Sequence, residues 1–400
     1  MMPDPDPNRA WMTAAEAARE LNVARATLYA YVSRGLVTSR AQTGTRKRLY
    51  AASDIARLRL AREPDPQSAD ARAALAFGMP VLDSAITQIA DGRFYYRGRD
   101  ALSLAEVASL EAVAGLLWGD GDSTTPIRLP AYDPTGSAPA NLSGAIEALA
   151  IAERTDPAAH ARTPAAIETV SGRILSILVG TWCGGSVHEE TPIDVALADA
   201  WAVPAAPDPI RRALICCADH ELNASAFAVR VAASTGASPY AALIAGLATL
   251  SGPRHGGQTP KTLAMLLDAV RRGDGRELVS ERLRQGDHPP GFGHQLYPDG
   301  DPRAQAILTA LPHCPRPALE VAEAGAAVLG LRPNLDFGLA ALAVTFRLSA
   351  DQAIGVFAIG RSIGWLAHVR EQYRTGTVIR PRARYTGPDP RPAHGSRERP

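Results

Sequence analysis

Cysteine is scarce: the 400-residue chain holds four, Cys183, Cys216, Cys217 and Cys314. None forms a Cys-x-x-Cys, and none stands with histidine at zinc-ligand spacing. The neighbours Cys216 and Cys217 cannot readily bridge each other. A disulfide scaffold is therefore excluded, and buried, reduced thiols in a cytoplasmic protein are expected. Long apolar runs are missing too: no stretch of about 18 apolar residues free of charge occurs, which excludes a spanning helix. Residues 1–8 are acidic and proline-rich with no apolar core, so no secretory signal is expected. Internal repeats are absent. Charge of one sign is also lacking overall, since the net charge is +1.

What is present is ordinary for a globular protein, 46% hydrophobic and 21% charged residues. The length allows two or three domains. Charge is uneven, however. Residues 22–62 carry nine Lys/Arg against one acid, Asp54, which predicts a small basic module joined to a neutral body.

Within that module, residues 13–21 read as a helix. Thr13 can cap it, and Glu16 three residues on completes a capping box. A second helix is expected over 25–34, stopped by Gly35. Leu21, Val23, Leu28, Tyr31 and Val32 would form its apolar seam. Residues 38–50 read as a hairpin with Gly44 near the tip and Arg46-Lys47-Arg48 on one arm, and a third helix begins at Ser53-Asp54-Ile55. The motifs Thr13-Ala14-Ala15-Glu16-Ala17-Ala18, Thr27-Leu28-Tyr29, Arg34-Gly35-Leu36-Val37 and Arg48-Leu49-Tyr50 with Asp54-Ile55 resemble the DNA-binding domain of the MerR family. The resemblance implies DNA as a partner. Arg25, Thr27 and Tyr29 of the second helix would enter the major groove, and the wing cations Arg46, Lys47 and Arg48 would lie on phosphate.

After a linker at Glu63-Pro64-Asp65-Pro66-Gln67-Ser68 the pattern is almost entirely helical. Helices are expected over 141–154, 164–181, 209–235, 240–251, 317–329 and 338–348, and residues from 386 onward are expected to fray.

The most informative segment is Pro290-Gly291-Phe292-Gly293-His294, followed by Asp301-Pro302-Arg303. Two glycines let the backbone bend tightly and approach a ligand. An imidazole at that bend, with a guanidinium beyond it, suits a small anionic carbonyl compound. Ser251-Gly252-Pro253-Arg254-His255-Gly256-Gly257 precedes it and Asn334-Leu335-Asp336-Phe337 follows it.

From Leu82 onward these motifs stand in an order that resembles the citrate synthase family. Leu82-Asp83-Ser84-Ala85-Ile86-Thr87 and Tyr95-Tyr96-Arg97-Gly98 match its leading segment. His220-Glu221-Leu222-Asn223-Ala224-Ser225 matches a substrate-binding helix, and the three segments above match its catalytic ones. Phe357-Ala358-Ile359-Gly360-Arg361, Gly364-Trp365, Ala367-His368 and Arg380-Pro381-Arg382 close the pattern. The resemblance implies a mainly α protein: a winged helix-turn-helix domain over 1–63, a linker over 64–75 and a citrate synthase-like domain over 76–390. That domain would comprise a large part (76–256 and 352–390) and a small part (257–351), with residues 391–400 a disordered tail.

The implied reaction is the condensation of acetyl-CoA with oxaloacetate to citrate and CoA, in a homodimer. Such chemistry needs a base for a weakly acidic α-proton, a donor for the enolate oxygen, a polariser for the ketone and cations for two carboxylates. By resemblance, Asp336 is the base, and burial between Leu335 and Phe337 would raise its pKa. His255 would bond the thioester carbonyl and His294 the ketone. His220, Arg303 and Arg361 would hold oxaloacetate, and Arg380 would reach in from the partner subunit. Neither a metal nor a redox cofactor is implied. Two other readings are a 2-methylcitrate synthase using propionyl-CoA, and a DNA-binding regulator whose synthase domain senses a metabolite. Structural alternatives are an Arg361–Glu371 ion pair and a solvated loop at His188-Glu189-Glu190.

The chain departs from the family where Gln258-Thr259 replaces Ala-Asn, at Gln295, and in Leu296-Tyr297-Pro298-Asp299-Gly300, which lacks a cation for CoA phosphate. Those changes imply altered acyl-CoA binding.

Overall fold

Thr13 ends a strand and caps a helix. Its hydroxyl accepts from the Glu16 amide at 3.3 Å, and the Glu16 carboxylate accepts from the Thr13 amide at 2.8 Å. This is the expected capping box, and it starts α1 (Ala14–Glu20). The computed structural model describes residues 11–21, 23, 25–33, 35–41, 47–55, 82–119, 125–134, 138–381, 383 and 385–388. The chain divides into two units, Met1–Asp83 with Arg380–Pro400, and Ser84–Ile379.

In the first unit α2 covers Arg25–Ser33, and Gly35 follows with the left-handed φ of 71° that only glycine adopts freely. Strands β1 (Trp11–Thr13), β2 (Ser39–Ala41) and β3 (Arg48–Ala51) form an antiparallel sheet in the order β1-β3-β2. The expected two-stranded wing thus gains a third strand from the residues before α1. The tip with Gly44 and Arg46 lies outside the described residues. A helical turn at 52–55 follows. Ala17, Leu21, Leu28, Val37, Tyr50 and Ile55 form the core, with Val23, Tyr31 and Val32 packed against it.

The second unit begins with a feature absent from the helical expectation, a sheet of β4 (Thr87–Ala90), β5 (Arg93–Tyr96) and β6 (Arg99–Asp100). Asp91-Gly92 and Arg97-Gly98 both have positive φ, the geometry of two-residue hairpin turns whose twist matches the strands. Helices α3 (Ala101–Val107), α4 (Leu110–Trp118), α5 (Leu142–Thr155), α6 (Pro164–Cys183) and α7 (Ile193–Ala200) follow.

The single helix expected over 209–235 is two, α8 (Pro207–Cys217) and α9 (Ala224–Ser234). Between them Glu221 takes φ 51°, and Asn223 caps α9 by accepting from the Ala226 amide. Then come α10 (Pro239–Leu250), α11 (Gln258–Arg272), α12 (Gly275–Arg284), α13 (Pro302–Ala310), α14 (Arg316–Leu329), α15 (Leu335–Phe346) and α16 (Ala350–Thr375). The 26-residue α16 is buried along most of its length, as a helix enclosed on all sides must be. It packs against α4, α6, α8, α9, α10, α11 and α15. No helix among the described residues is long and apolar enough to cross a membrane.

Cys216 and Cys217 are buried, whereas Cys183 and Cys314 are only half-buried; all four are unbridged.

Candidate active site

His220 lies in the break between α8 and α9, not on a helix as expected, and the chain is tied down from Cys217 to His220. Arg361 Nε on α16 donates to the Cys217 carbonyl at 2.6 Å, and the Gly364 amide donates to the Ala218 carbonyl at 2.9 Å. The Asp219 carboxylate accepts from Thr87 Oγ1 at 2.6 Å and stands 3.2 Å from His368 Nε2. So held, His220 is 6% exposed, with Nε2 2.9 Å from the Tyr297 hydroxyl. Burial, reinforced by Arg303 and Arg361, pushes its pKa well below the usual histidine value.

His294 comes from the glycine loop. Gly291 has φ 88°, and a Cβ there would meet Thr262 Cγ2 at 2.6 Å, so backbone conformation and space both demand glycine. The loop is stapled to the segment before α15: the Gly293 amide donates to the Arg332 carbonyl (2.9 Å), the Asn334 amide to the Gly291 carbonyl (2.9 Å) and Asn334 Nδ2 to the Gly293 carbonyl (3.1 Å). His294 packs edge-on against His220, ring centroids 5.2 Å apart. The Leu296 amide donates to His294 Nδ1 at 3.2 Å, so the ring proton of the neutral form sits on Nε2. Burial, with Arg303 adding to it, lowers this imidazole to about 4.

Asp336 sits in the first turn of α15, capped by Asn334. It is half-buried, and Thr259 Oγ1 donates to its Oδ1 at 2.6 Å. Burial raises its pKa to about 6 against the opposing pull of Thr259 and Arg303. His255 is half-buried in the turn before α11, with Nε2 2.8 Å from Ser225 Oγ. Burial, helped by Arg361, lowers it to about 4.

The two arginines differ. Arg303, 3% exposed, spends its fork on Asp301, through Nε (2.9 Å) and Nη2 (2.7 Å), where a ligand carboxylate was expected; Nη1 is left over. Asp301 raises Arg303, outweighing the opposite effect of burial. Arg361, 2% exposed, makes one hydrogen bond among the described residues, from Nε to Cys217, leaving both terminal NH2 groups. The alternative Arg361–Glu371 pair is not formed: Glu371 holds Arg230 at 2.7 Å and accepts from the Ala85 amide.

The structure thus brings together His220, His294, Arg303 and Arg361, with Asp336 and His255 on neighbouring elements of the same unit. Arg380 is exposed and belongs to the other unit. In the N-terminal unit Tyr29 is 52% exposed, Lys47 and Arg48 are exposed, and Thr27 is half-buried. Arg25 starts α2, Arg48 bonds Ser39, and Arg46 is outside the described residues. His188, Glu189 and Glu190 are exposed, and no group of three metal-ligating side chains occurs among the described residues.

Sequence reasoning missed Tyr297, which joins His220 to His294, and Thr259, which joins α11 to Asp336. It also missed Arg332, whose side chain lies against Gly300. Arg332 brings a cation to the loop whose own residues have none. It is exposed and has no ion pair among the described residues.

Fold and constellation together define a class: a mainly helical domain in which a glycine loop and a helix break converge paired histidines and buried arginines, with one carboxylate of raised pKa on a neighbouring helix. Residues 143–382, more than half of the chain, match the citrate synthase C-terminal domain, and residues 12–63 match the MerR helix-turn-helix family of regulatory proteins. The chain belongs to the citrate synthase family. It is 40% identical over 185 residues to the putative citrate synthase 2 of Mycobacterium tuberculosis, covering 44% of this chain and 50% of that protein. Citrate synthase 2 of Bacillus subtilis is 35% identical over 197 residues, 46% of this chain and 53% of the other. The chain therefore spans about half the length of the curated relatives it matches. A citrate synthase of Thermoplasma acidophilum, solved in ternary complex with carboxymethyl coenzyme A and oxaloacetate, superposes with a TM-score of 0.64. Identity there is 21%, and the match covers 81% of this chain and 98% of that one, a likeness of fold.

Proposed function

We propose that this chain condenses acetyl-CoA with oxaloacetate, releasing citrate and CoA. The observation that carries the reading is Asp336, a carboxylate whose pKa is raised to about 6, in one unit with three imidazoles made neutral by burial. Such a carboxylate is ionised at neutral pH yet basic enough to take an α-proton. Asp336 removes a proton from the acetyl methyl, and His255 hydrogen-bonds the thioester oxygen as the enol forms. For this, Ser225 turns its hydroxyl from Asn223 Oδ1 (2.7 Å) onto His255 Nε2, leaving the ring proton on Nδ1.

The methylene carbon then attacks the ketone carbon of oxaloacetate. His294 Nε2–H bonds the ketone oxygen and stabilises the alkoxide, which takes up a proton in place of the one Asp336 removed and becomes the hydroxyl; water then adds OH to the acyl carbon and H to the departing sulfur, freeing CoA. Arg361, with two uncommitted NH2 groups, and Nη1 of Arg303 hold the carboxylates of oxaloacetate, and His220 completes that side. Arg332 supplies a cation for CoA phosphate. Arg380 completes the partner's site in a cytoplasmic homodimer, and the N-terminal module carries that dimer to DNA through Arg25, Thr27, Tyr29, Arg46, Lys47 and Arg48. A pure metabolite sensor would need the arginines but not a basic Asp336, which favours the enzyme.

The test is release of free thiol by purified protein given oxaloacetate with acetyl-CoA or propionyl-CoA. Turnover with acetyl-CoA preferred supports the proposal. A preference for propionyl-CoA makes the product 2-methylcitrate, since one methylene changes pocket binding by only about 1–3 kcal/mol. No turnover with either, despite oxaloacetate binding, overturns it in favour of the sensor.

A further inference from the structure

The Thr259 hydroxyl does something other helical threonines here do not. Thr181, Thr249, Thr262 and Thr345 donate to the carbonyl four residues back on their own helix. Thr259, in the first turn of α11 and fully buried, instead crosses to α15 and donates to Asp336 Oδ1 at 2.6 Å. That is the only side-chain hydrogen bond Asp336 makes among the described residues, so Oδ1 is occupied and Oδ2 is not. A hydroxyl has one proton, and toward an ionised carboxylate it can only donate.

We propose that Thr259 is a positioning residue: by holding Oδ1 it fixes the rotamer of Asp336 and commits Oδ2 to proton abstraction. This rests on the condensation reading above. Elements packed against α15 bring other charged and titratable groups: Arg303 with Asp301 from α13 and its cap, Cys217 from the end of α8, Arg361 from α16, and His255 from the turn before α11. None of them hydrogen-bonds the Asp336 side chain. Among the described residues Thr259 is thus the one donor that distinguishes the two carboxylate oxygens.

The experiment compares wild type, Thr259→Val, which keeps the shape without the hydroxyl, and Thr259→Ser, which keeps the hydroxyl. For each, kcat is profiled from pH 5 to 9 alongside the KM for oxaloacetate, and the Asp336 carboxyl is titrated by carbon-13 NMR. In Thr259→Val, losing a hydrogen bond to the charged form should move the acid limb and the carboxyl titration up by about one pH unit and lower kcat about tenfold or more. The KM for oxaloacetate should be unchanged, and Thr259→Ser should return both quantities to near wild type. An unchanged titration in Thr259→Val, or a Ser variant as impaired as Val, overturns the proposal. If wild type shows no condensation but the titration still moves in Val and returns in Ser, the condensation reading fails while the hold on Asp336 stands.

Discussion

Arg303 and Asp301 lock together two residues apart, Nε to Oδ1 at 2.9 Å and Nη2 to Oδ2 at 2.7 Å, both side chains almost wholly buried. Asp301 also caps α13 through the Arg303 amide, and its Oδ2 accepts from the Leu335 amide at 3.0 Å, one residue before Asp336. A single carboxylate therefore sets both the Arg303 side chain and the start of the helix that carries Asp336. Burial alone would raise Asp301, but Arg303 outweighs it and its pKa is lowered.

Asp301→Asn keeps the shape and removes the charge, leaving a buried guanidinium unpaired. The expected loss of stability is about 3–5 kcal/mol by urea unfolding, with a raised KM for oxaloacetate in the protein that still folds. A variant as stable as wild type would show that Arg303 finds another partner.

Arg332→Ala tests where CoA phosphate is held. Losing one charge-assisted contact should raise the KM for acyl-CoA about tenfold or more and leave the KM for oxaloacetate unchanged. Steady-state kinetics varying each substrate separates the two.

Asp336 also makes stability depend on pH. Its folded pKa, about 6, lies above the ordinary aspartate value of 3.8. The fold therefore favours the protonated form, and this contribution is present below the unfolded pKa and lost as pH rises through 6. Asp336→Asn cannot ionise, so it should melt above wild type at pH 8, with the advantage gone at about pH 4. Melting curves at the two pH values check this.

Lys47 and Arg48 are exposed on the wing. Replacing both with Ala should flatten the salt dependence of duplex binding by up to about two units and leave condensation untouched. Fluorescence titration at several salt concentrations measures it, and equal binding by variant and wild type would remove the wing from the DNA contact.

Much of the site was legible because its chemistry sits in short motifs. Glycines around His255 and His294, and Asn334 two residues before Asp336, mark backbone that must turn or cap, and the structure uses them so. What escaped was of two kinds. Asp301 stands two residues from Arg303 in the same motif, but the motif does not say that the fork is spent on it rather than left for a ligand. Thr259 and Arg332 matter through helices and loops that meet only in the fold.

Two local signals were readable but passed over. Asp91-Gly92 is a hairpin turn written in the sequence, lost in a body dominated by alanine and leucine. Asn223, an N-cap residue type, marks the break that splits the long helix and frees His220 from it.

The central claim is that Asp336 is the base. The measurement is thiol release with saturating oxaloacetate and acetyl-CoA across pH 5 to 9, for wild type and Asp336→Asn, with oxaloacetate binding checked by calorimetry. The account predicts a wild-type profile falling on the acid side near pH 6. It also predicts a variant slowed about a hundredfold or more that still binds oxaloacetate. A variant keeping more than about a tenth of wild-type kcat, below the usual contribution of a general base, would contradict it.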